Sequence, residues 1–145
     1  MYSILHRITI ETTPDKLYGA LTTQQGLSAW WTKTKTHGDK VASTNSFFFG
    51  ADGNHQVDMK IEALKTNELV VWQCAAGPWQ EKGLFTFSIT PDEGGVVLHF
   101  KHQGWDETDD FYQHCNSKWG FFLAVSLKNY LEKGEGQPHP EDPNI

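Results

Sequence analysis

The residues of this sequence that could bind a metal or carry out acid–base chemistry are seven histidines and two cysteines. His99 and His102 are three positions apart on one predicted strand, so the alternation of side chains places them on opposite faces and they cannot share an ion. The sequence has no HExxH motif, no His-x-His pair and no Cys-x-x-Cys spacing, which are common patterns of zinc ligands. We therefore expect no metal site and no cofactor.

His102 is the histidine whose strand pattern points toward a ligand. If Val96, Leu98 and Phe100 face the core, the same alternation directs His102 inward, near the mouth of a cavity, with Trp105 just beyond it. Two interpretations stay open. His102 either forms a hydrogen bond to a loop carbonyl, or it orients a ligand or acts as an acid–base group. In the second case it is the candidate catalytic residue.

The two cysteines, Cys74 and Cys115, lie in unrelated parts of the sequence. Cys115 falls within an apolar helical stripe, where a small buried hydrophobic residue is more typical than a nucleophile. The N-terminus has no apolar run of the signal-peptide kind. We expect a cytoplasmic protein in which both thiols are free and poorly reactive.

The composition argues against two classes of partner. The 145 residues carry 18 acidic and 12 basic side chains, a net charge of −6, and no basic stripe that would attract a nucleic-acid backbone. No stretch approaches the roughly 18 consecutive apolar residues that insert into a membrane. A chain of this length forms one domain with a sizeable core, and we interpret its dispersed acids as solvated surface.

A strand, two short helices, a series of strands and a long helix must position these residues. Residues 3–11 alternate apolar and polar side chains, which predicts a half-buried strand. Thr13-Pro14-Asp15 is typical of a helix start, and residues 27–31 predict a second short helix. Residues 32–43 are polar and predict a loop. Five further strands follow, separated by turn residues: 45–50, 55–64, 68–75, 79–90 and 95–103.

From about residue 109 to 132, apolar residues recur at spacings of three and four, which predicts a long amphipathic helix. Gly120 within it either permits close packing against the sheet or leaves room for a ligand beside Trp119. Residues 135–145 hold three prolines and no apolar residue before Ile145. We therefore predict a flexible tail that packs little against a domain formed by residues 1–134.

Successive strands joined by short polar turns form an antiparallel sheet with one apolar face, and the long helix carries the stripe that covers it. The sequence thus predicts an α+β fold in which a curved antiparallel sheet of about six strands wraps around a C-terminal helix. The pattern leaves the inward-facing register of the strands around 47–50 and 69–74 open.

Three stretches of the chain carry a resemblance to a known family. Residues 13–22, running on to 27–31, resemble the opening of the family named for the activator of Hsp90 ATPase. His102-Gln103-Gly104-Trp105 resembles the H-x-G-W strand end of that family, and residues 119–123 with 127–134 resemble its final helix. The resemblance spans nearly the whole chain in the expected order.

This resemblance implies a START-like (SRPBCC) helix-grip fold around a hydrophobic cavity, in a stand-alone, single-domain member. The eukaryotic co-chaperones of the family carry an additional N-terminal domain that contacts Hsp90. We expect the present chain to lack that domain, which counts against an Hsp90 contact here. Relatives elsewhere in the superfamily include carriers or sensors of small ligands and pocket enzymes.

The resulting hypothesis is a protein that binds a small apolar or aromatic ligand between helix and sheet. Two alternatives stay open: a pocket enzyme of the cyclase, dehydratase or hydrolase kind that uses His102, and a co-chaperone-like or stress-response module that binds proteins. We favour binding over catalysis, and the sequence is compatible with a monomer or a homodimer. The expected ligand-binding residues are Trp30, Trp31, Trp72, Phe87, Phe100, His102, Trp105, Trp119 and Phe122.

Overall fold

The computed structural model of the protein describes residues 1–80 and 83–145. Within them, seven strands form one antiparallel sheet in the order β1-β7-β6-β5-β4-β3-β2. Helices α1 (Pro14–Thr22) and α2 (Gln24–Trp30) connect β1 to β2. The strands are β1 (Tyr2–Ile10), β2 (Lys33–Thr36), β3 (Thr44–Phe49), β4 (His55–Lys65), β5 (Leu69–Ala76), β6 (Leu84–Asp92) and β7 (Gly95–Trp105).

One long helix follows the last strand and consists of three parts: α3 (Asp110–Phe121), a π-helical segment (Phe122–Leu127) and α4 (Lys128–Lys133). We call the three parts together the C-terminal helix. Its start is encoded locally, because the Asp109 side chain accepts a hydrogen bond from the Tyr112 N–H at 3.0 Å. It ends at Gly134, whose φ of 87° is the left-handed conformation that glycine adopts readily. None of the helices in the described part of the chain is both long and apolar enough to cross a membrane.

The helix lies in the concave face of the sheet, as the sequence predicted. Irregular pairing of β4 with β5, near Asp58 and again near Ile61, bends the sheet around it. On the concave face the Trp119 ring contacts Phe100 of β7 at 4.6 Å and Phe87 of β6 at 6.5 Å between centroids. The helix-grip fold, with a curved sheet around a long C-terminal helix, is therefore confirmed.

The structure fixes the register that the sequence left open. Phe47 of β3 faces inward and is fully buried. On β5 the inward residues are Val70, Trp72 and Cys74, all at most 2% exposed. In β5 the alternating residues Val70, Trp72 and Cys74 all face the core. In β3 three phenylalanines are consecutive, so the sequence pattern could not show which of them faces inward.

Two boundary predictions are corrected. The predicted loop 32–43 contains β2, whose four polar residues pair with β3 and so do not depend on an apolar pattern of their own. The predicted strand 79–90 begins only at Leu84. Trp79 lies in a turn before it, and residues 81 and 82 of that prediction lie outside the described residues.

Residues 135–145, predicted to form a tail that packs little against the domain, make hydrogen bonds to it. The Gln137 N–H donates to the Ser126 hydroxyl at 2.8 Å, and the His139 N–H donates to the carbonyl oxygen of Trp31 at 2.8 Å. We call residues 135–145 the C-terminal segment. It is held by hydrogen bonds to Ser126 of the C-terminal helix and to Trp31 after α2 rather than by apolar burial, so the hydrophobic pattern gave no sign of these contacts.

Gly120 tests how closely the C-terminal helix approaches the sheet. A Cβ atom at this position would meet only the His6 ring, at 3.5 Å, which is an ordinary van der Waals contact. We therefore expect Gly120→Ala to raise the free energy of unfolding by about 0.5–1 kcal/mol, because alanine loses less backbone entropy than glycine in a helix. Urea unfolding followed by circular dichroism measures this change.

Gly136→Ala is the matched control for Gly120→Ala. A Cβ atom at Gly136 would overlap the Ala29 carbonyl oxygen, so the same substitution should destabilise the protein there. A loss of stability in Gly120→Ala would contradict this expectation and would show that the helix packs too closely against the sheet at Gly120 to accept a methyl group.

Candidate functional site

A cleft of about 800 Å³ lies between α3 and the end of the sheet formed by the β3–β4 and β5–β6 connections. This volume is within the usual range of small-molecule sites. The cleft is partly open to solvent, and most of its wall is apolar. The apolar lining residues are Trp31, Phe49, Val57, Pro78, Trp79, Phe111, Cys115, Trp119 and Phe122.

Trp31 is the centre of the aromatic wall. It follows α2 directly, and its ring stacks on Trp72 of β5 with centroids 5.8 Å apart and planes 14° apart. It also contacts the rings of Trp119 at 5.0 Å and Phe49 at 5.4 Å. Trp72 has Phe87 behind it at 4.7 Å. The cleft wall is therefore the inner surface of a packed aromatic core, so its shape is set by the fold.

Polar side chains surround this wall, and three of them form a connected network. The Lys118 ammonium lies 2.7 Å from Asp142 Oδ2, and Asp142 Oδ1 lies 2.7 Å from His139 Nδ1. His139 Nε2 accepts a hydrogen bond from the Gly50 N–H at 3.1 Å. Since Nε2 accepts, the His139 proton is on Nδ1 and donates to Asp142. The network joins α3, the C-terminal segment and the β3–β4 turn at one end of the cleft.

Asp142 is the charged centre of this network. Burial would raise the pKa of its carboxyl. The hydrogen bonds from Lys118 and His139, together with the positive charge of the Lys118 ammonium, outweigh burial and lower this pKa. A group whose pKa is lower in the folded state contributes stability above its unfolded pKa, and that contribution disappears as the pH falls through the folded pKa.

We therefore expect the stability difference between the wild type and Asp142→Asn to depend on pH. The wild type should be the more stable at pH 7, and the difference should shrink as the pH falls below about 4, where the unfolded carboxyl becomes protonated. Melting curves at pH 7, 5, 3.5 and 2.5 measure it. A difference that stays constant over this range would contradict the assigned role of the Asp142 charge.

Three of the nine residues expected from the sequence line the cleft: Trp31, Trp119 and Phe122. The other six lie in the buried core and are absent from the lining of the described cleft. Trp72 and Phe87 support the wall from behind. The remaining four, packed deeper or to one side, are Trp30, Phe100, His102 and Trp105.

His102 points inward, as the alternation of β7 predicts, but it does not line the described cleft. Its ring stacks on Phe85 with centroids 3.7 Å apart and meets Trp105 edge-on at 5.0 Å. The side chain is fully buried. A ligand in the cleft would contact Trp79 before it could reach His102, because the Trp79 ring lies against His102 at 6.0 Å and is part of the wall.

Sequence reasoning missed the polar side chains of the cleft. His114 and Lys118 line it, and each directly precedes an apolar lining residue of α3. Their positions at the edge of the helical stripe were therefore a usable signal. Asn54, His55 and Gln56, around the β3–β4 turn, also line the cleft. His139, Asp142 and Asn144 come from the C-terminal segment, for which the hydrophobic pattern gives no signal.

Cys115 also lines the cleft, and its thiol has the properties of an unreactive group. Burial raises the pKa of its thiol to about 11; the nearby Asp109 charge adds to this, and a contact from the Trp79 side chain partly offsets it. Burial likewise raises the pKa of Cys74. Both cysteines are free in the structure. Very little thiolate, the reactive form, is present at neutral pH.

We expect neither cysteine to react quickly with iodoacetamide at pH 7 in the native protein. Mass spectrometry should find both unmodified after a time that fully alkylates the protein in urea, which is the control. Rapid alkylation of Cys115 in the native protein would contradict its assignment as a packing residue.

A second set of polar side chains lies on the convex face and includes a serine and a histidine. Ser46 Oγ donates to Asp58 Oδ1 at 2.8 Å, and His37 Nε2 lies 3.1 Å from Ser46 Oγ. Because the serine proton is directed to Asp58 and Ser46 is only 3% exposed, the hydroxyl is not placed as a nucleophile. In the described residues, no group of three or more His, Cys, Asp or Glu side chains could hold a metal ion.

The cleft therefore has the properties of a binding site: an apolar aromatic wall, a partly open mouth and polar side chains around the wall. Comparison with known proteins agrees with the fold. The profile of the family described as "Activator of Hsp90 ATPase homolog 1-like protein" matches residues 11–132, which is more than half of the chain. No curated protein matches the sequence significantly.

Among solved structures, the solution structure of the Aha1 dimer from Colwellia psychrerythraea is 41% identical, with a TM-score of 0.83, and the match covers 94% of this chain and 100% of that chain. A crystal structure from Mesorhizobium loti is 20% identical, with a TM-score of 0.72 and coverage of 84% and 91%. A solution structure from Bacillus halodurans is 13% identical, with a TM-score of 0.74 and coverage of 91% and 98%. The last two show the fold alone.

Proposed function

The chain belongs to the Activator of Hsp90 ATPase homolog 1-like family, and from this premise and the geometry of the cleft we propose that it binds a small hydrophobic or aromatic ligand between its C-terminal helix and its sheet. The observation that carries the proposal is the aromatic wall made by Trp31, Phe49 and Trp119. These rings are packed by the core on one side and border an open cleft of about 800 Å³ on the other.

The apolar character of the wall supports an apolar ligand. Filling the cleft with an apolar molecule removes from water the part-exposed rings of Phe49, Trp79 and Phe111, which stabilises the complex by roughly 25 cal/mol per Å² before the cost of association. The wall is already ordered by its contacts with Trp72 and Phe87, so little conformational entropy is lost on binding.

A titration with 2-isopropenylnaphthalene, an uncharged apolar aromatic molecule, tests this function. We expect saturable binding at micromolar concentrations. Nitrogen–proton correlation spectra should show shifts of the indole signals of Trp31, Trp79 and Trp119, and smaller shifts for the buried Trp30. No saturable change, or shifts confined to residues far from the cleft, would refute ligand binding at this site.

The geometry gives less support to the enzyme alternative. His102, the acid–base candidate, is packed behind Trp79 rather than in the lining of the described cleft. His139 lines the cleft and has a carboxylate partner, but its second nitrogen already accepts a hydrogen bond from the Gly50 N–H. Neither imidazole is placed to exchange a proton with a molecule in the cleft.

A homodimer is a second part of the proposal. It is favoured by one observation, that the 41% identical Colwellia protein is a dimer in solution. Size-exclusion chromatography with light scattering at several protein concentrations tests it. A mass of one chain, 16.4 kDa, at every concentration would exclude a stable homodimer.

A further inference from the structure

Lys118 is a charged side chain of the cleft wall with hydrogen-bonding capacity left. Its ammonium donates to Asp142 Oδ2 at 2.7 Å and to the Pro143 carbonyl oxygen at 2.6 Å. An ammonium group has three N–H donors. In the part of the chain that the structure describes, two of the three are used, and the side chain is 21% exposed in the lining of the cleft. The third donor is therefore left to water or to a ligand.

The neighbours of Lys118 decide which acceptor suits it. Asp142 shares the same ammonium and is only 5% exposed, so its negative charge is weakly screened by solvent. A ligand carboxylate at Lys118 would also lie next to the Asp142 carboxylate, and this repulsion would cancel much of its attraction to the ammonium. An uncharged acceptor receives the hydrogen bond without that repulsion.

A ligand with no acceptor is also disfavoured at this end of the cleft. It would exclude solvent from the third N–H of Lys118 and would leave that donor without an acceptor. Covering a charged donor without offering it an acceptor is costly, whereas replacing solvent water by a ligand oxygen is close to neutral. Among apolar ligands, Lys118 therefore favours those that carry a hydrogen-bond acceptor atom.

We propose that the ligand of the cleft is an apolar aromatic molecule that carries one uncharged hydrogen-bond acceptor, and that Lys118 donates its third N–H to this acceptor. This inference rests on the proposed function and specifies its ligand class. The aromatic body packs on Trp31 and Trp119, and the acceptor lies at the end of the cleft that the C-terminal segment closes.

The test compares two probes of nearly the same shape, 2-acetylnaphthalene and 2-isopropenylnaphthalene, which differ in a C=O replacing a C=CH₂. We expect the ketone to bind the wild type about tenfold more tightly, the effect of one hydrogen bond from a charged donor. A third probe, 2-naphthoate, should bind no more tightly than the ketone. The dissociation constants are measured by quenching of tryptophan fluorescence.

Two variants isolate the donor. Asp142→Asn keeps the Lys118 ammonium, so the preference for the ketone should persist. Adding Lys118→Met to Asp142→Asn removes the donor without leaving a buried unpaired carboxylate, and the ratio of the two constants should fall to about one. The ratio is the readout because a change in the packing of the wall weakens both probes alike.

The outcomes are distinct. If neither naphthalene binds the wild type, the proposed function itself fails. If both bind equally, or if the ratio survives the double substitution, Lys118 does not choose the ligand. Tighter binding of 2-naphthoate that depends on Lys118 would replace the uncharged acceptor by an anion and overturn the inference.

Discussion

Replacing Trp119 by alanine should lower the free energy of unfolding by about 3–5 kcal/mol, the usual cost of removing a large aromatic side chain from a core. The Trp119 ring is 3% exposed and contacts the rings of Trp31, Phe100 and Phe85. Removing it would leave a void between the C-terminal helix and the sheet that these rings cannot fill. For a domain of this size, the melting temperature should fall by roughly 10 °C or more. Urea and thermal unfolding measure both quantities.

The same residue lines the cleft, so binding needs a separate variant. Phe111 also lines the cleft but is 37% exposed. Phe111→Ala should weaken binding of 2-isopropenylnaphthalene several-fold while changing the free energy of unfolding by less than about 1 kcal/mol. Trp119→Phe, which keeps a ring in place, should lose less stability than Trp119→Ala. A Trp119→Ala protein that stays within 1 kcal/mol of the wild type would show that this ring is not part of the core.

Ser126→Ala should cost about 2–4 kcal/mol, although it removes a single oxygen atom. The hydroxyl donates to the Trp30 carbonyl oxygen at 2.6 Å and accepts from the Gln137 N–H at 2.8 Å, and the residue is fully buried. Alanine leaves a buried carbonyl and a backbone N–H without this partner, and each lost partner costs about 1–3 kcal/mol. Ser117→Ala, on the exposed side of α3, is the control and should change stability by less than about 0.5 kcal/mol.

A protein truncated after Gly134 should show the same loss on a larger scale. It lacks the Gln137 and His139 contacts and leaves the Lys118 ammonium without Asp142. We expect it to melt several degrees lower than the wild type and to bind naphthalene probes more weakly, because one wall of the cleft is gone. An unchanged melting temperature in both Ser126→Ala and the truncated protein would mean that the segment contributes nothing to stability.

Local signals were sufficient for most of the elements. The alternation in β1, β4 and β7 and the three–four spacing of the C-terminal helix each report which face is buried, since a single period fits each stretch. The cap at Asp109 and the stop at Gly134 mark the helix ends for the same local reason. β2 escaped prediction because its residues pair through the backbone and bury only Thr34.

The site was predictable only in part. Hydrophobic pattern identified the rings that face the helix–sheet interface, and Trp31, Trp119 and Phe122 do border the cleft. The pattern cannot separate a ring at the edge of a cavity from a ring packed behind it, because both are buried. For that reason the sequence pattern predicted Trp72, Phe87 and His102 as ligand-binding residues too, although they lie behind the wall.

The sequence by itself determined the antiparallel sheet, the covering helix and their aromatic interface, because burial of an apolar face follows from periods of two and 3.6 residues along the chain. Only the tertiary structure decided where a cleft remains in this interface and that the C-terminal segment lines one end of the cleft. The C-terminal segment has no apolar residue before Ile145. It is held instead by hydrogen bonds to residues that lie outside it in the sequence, namely Ser126, Trp31, Gly50 and Lys118. Hydrogen bonds between such distant groups leave no periodic trace in a sequence, so the polar wall of the cleft became visible only after the chain had folded.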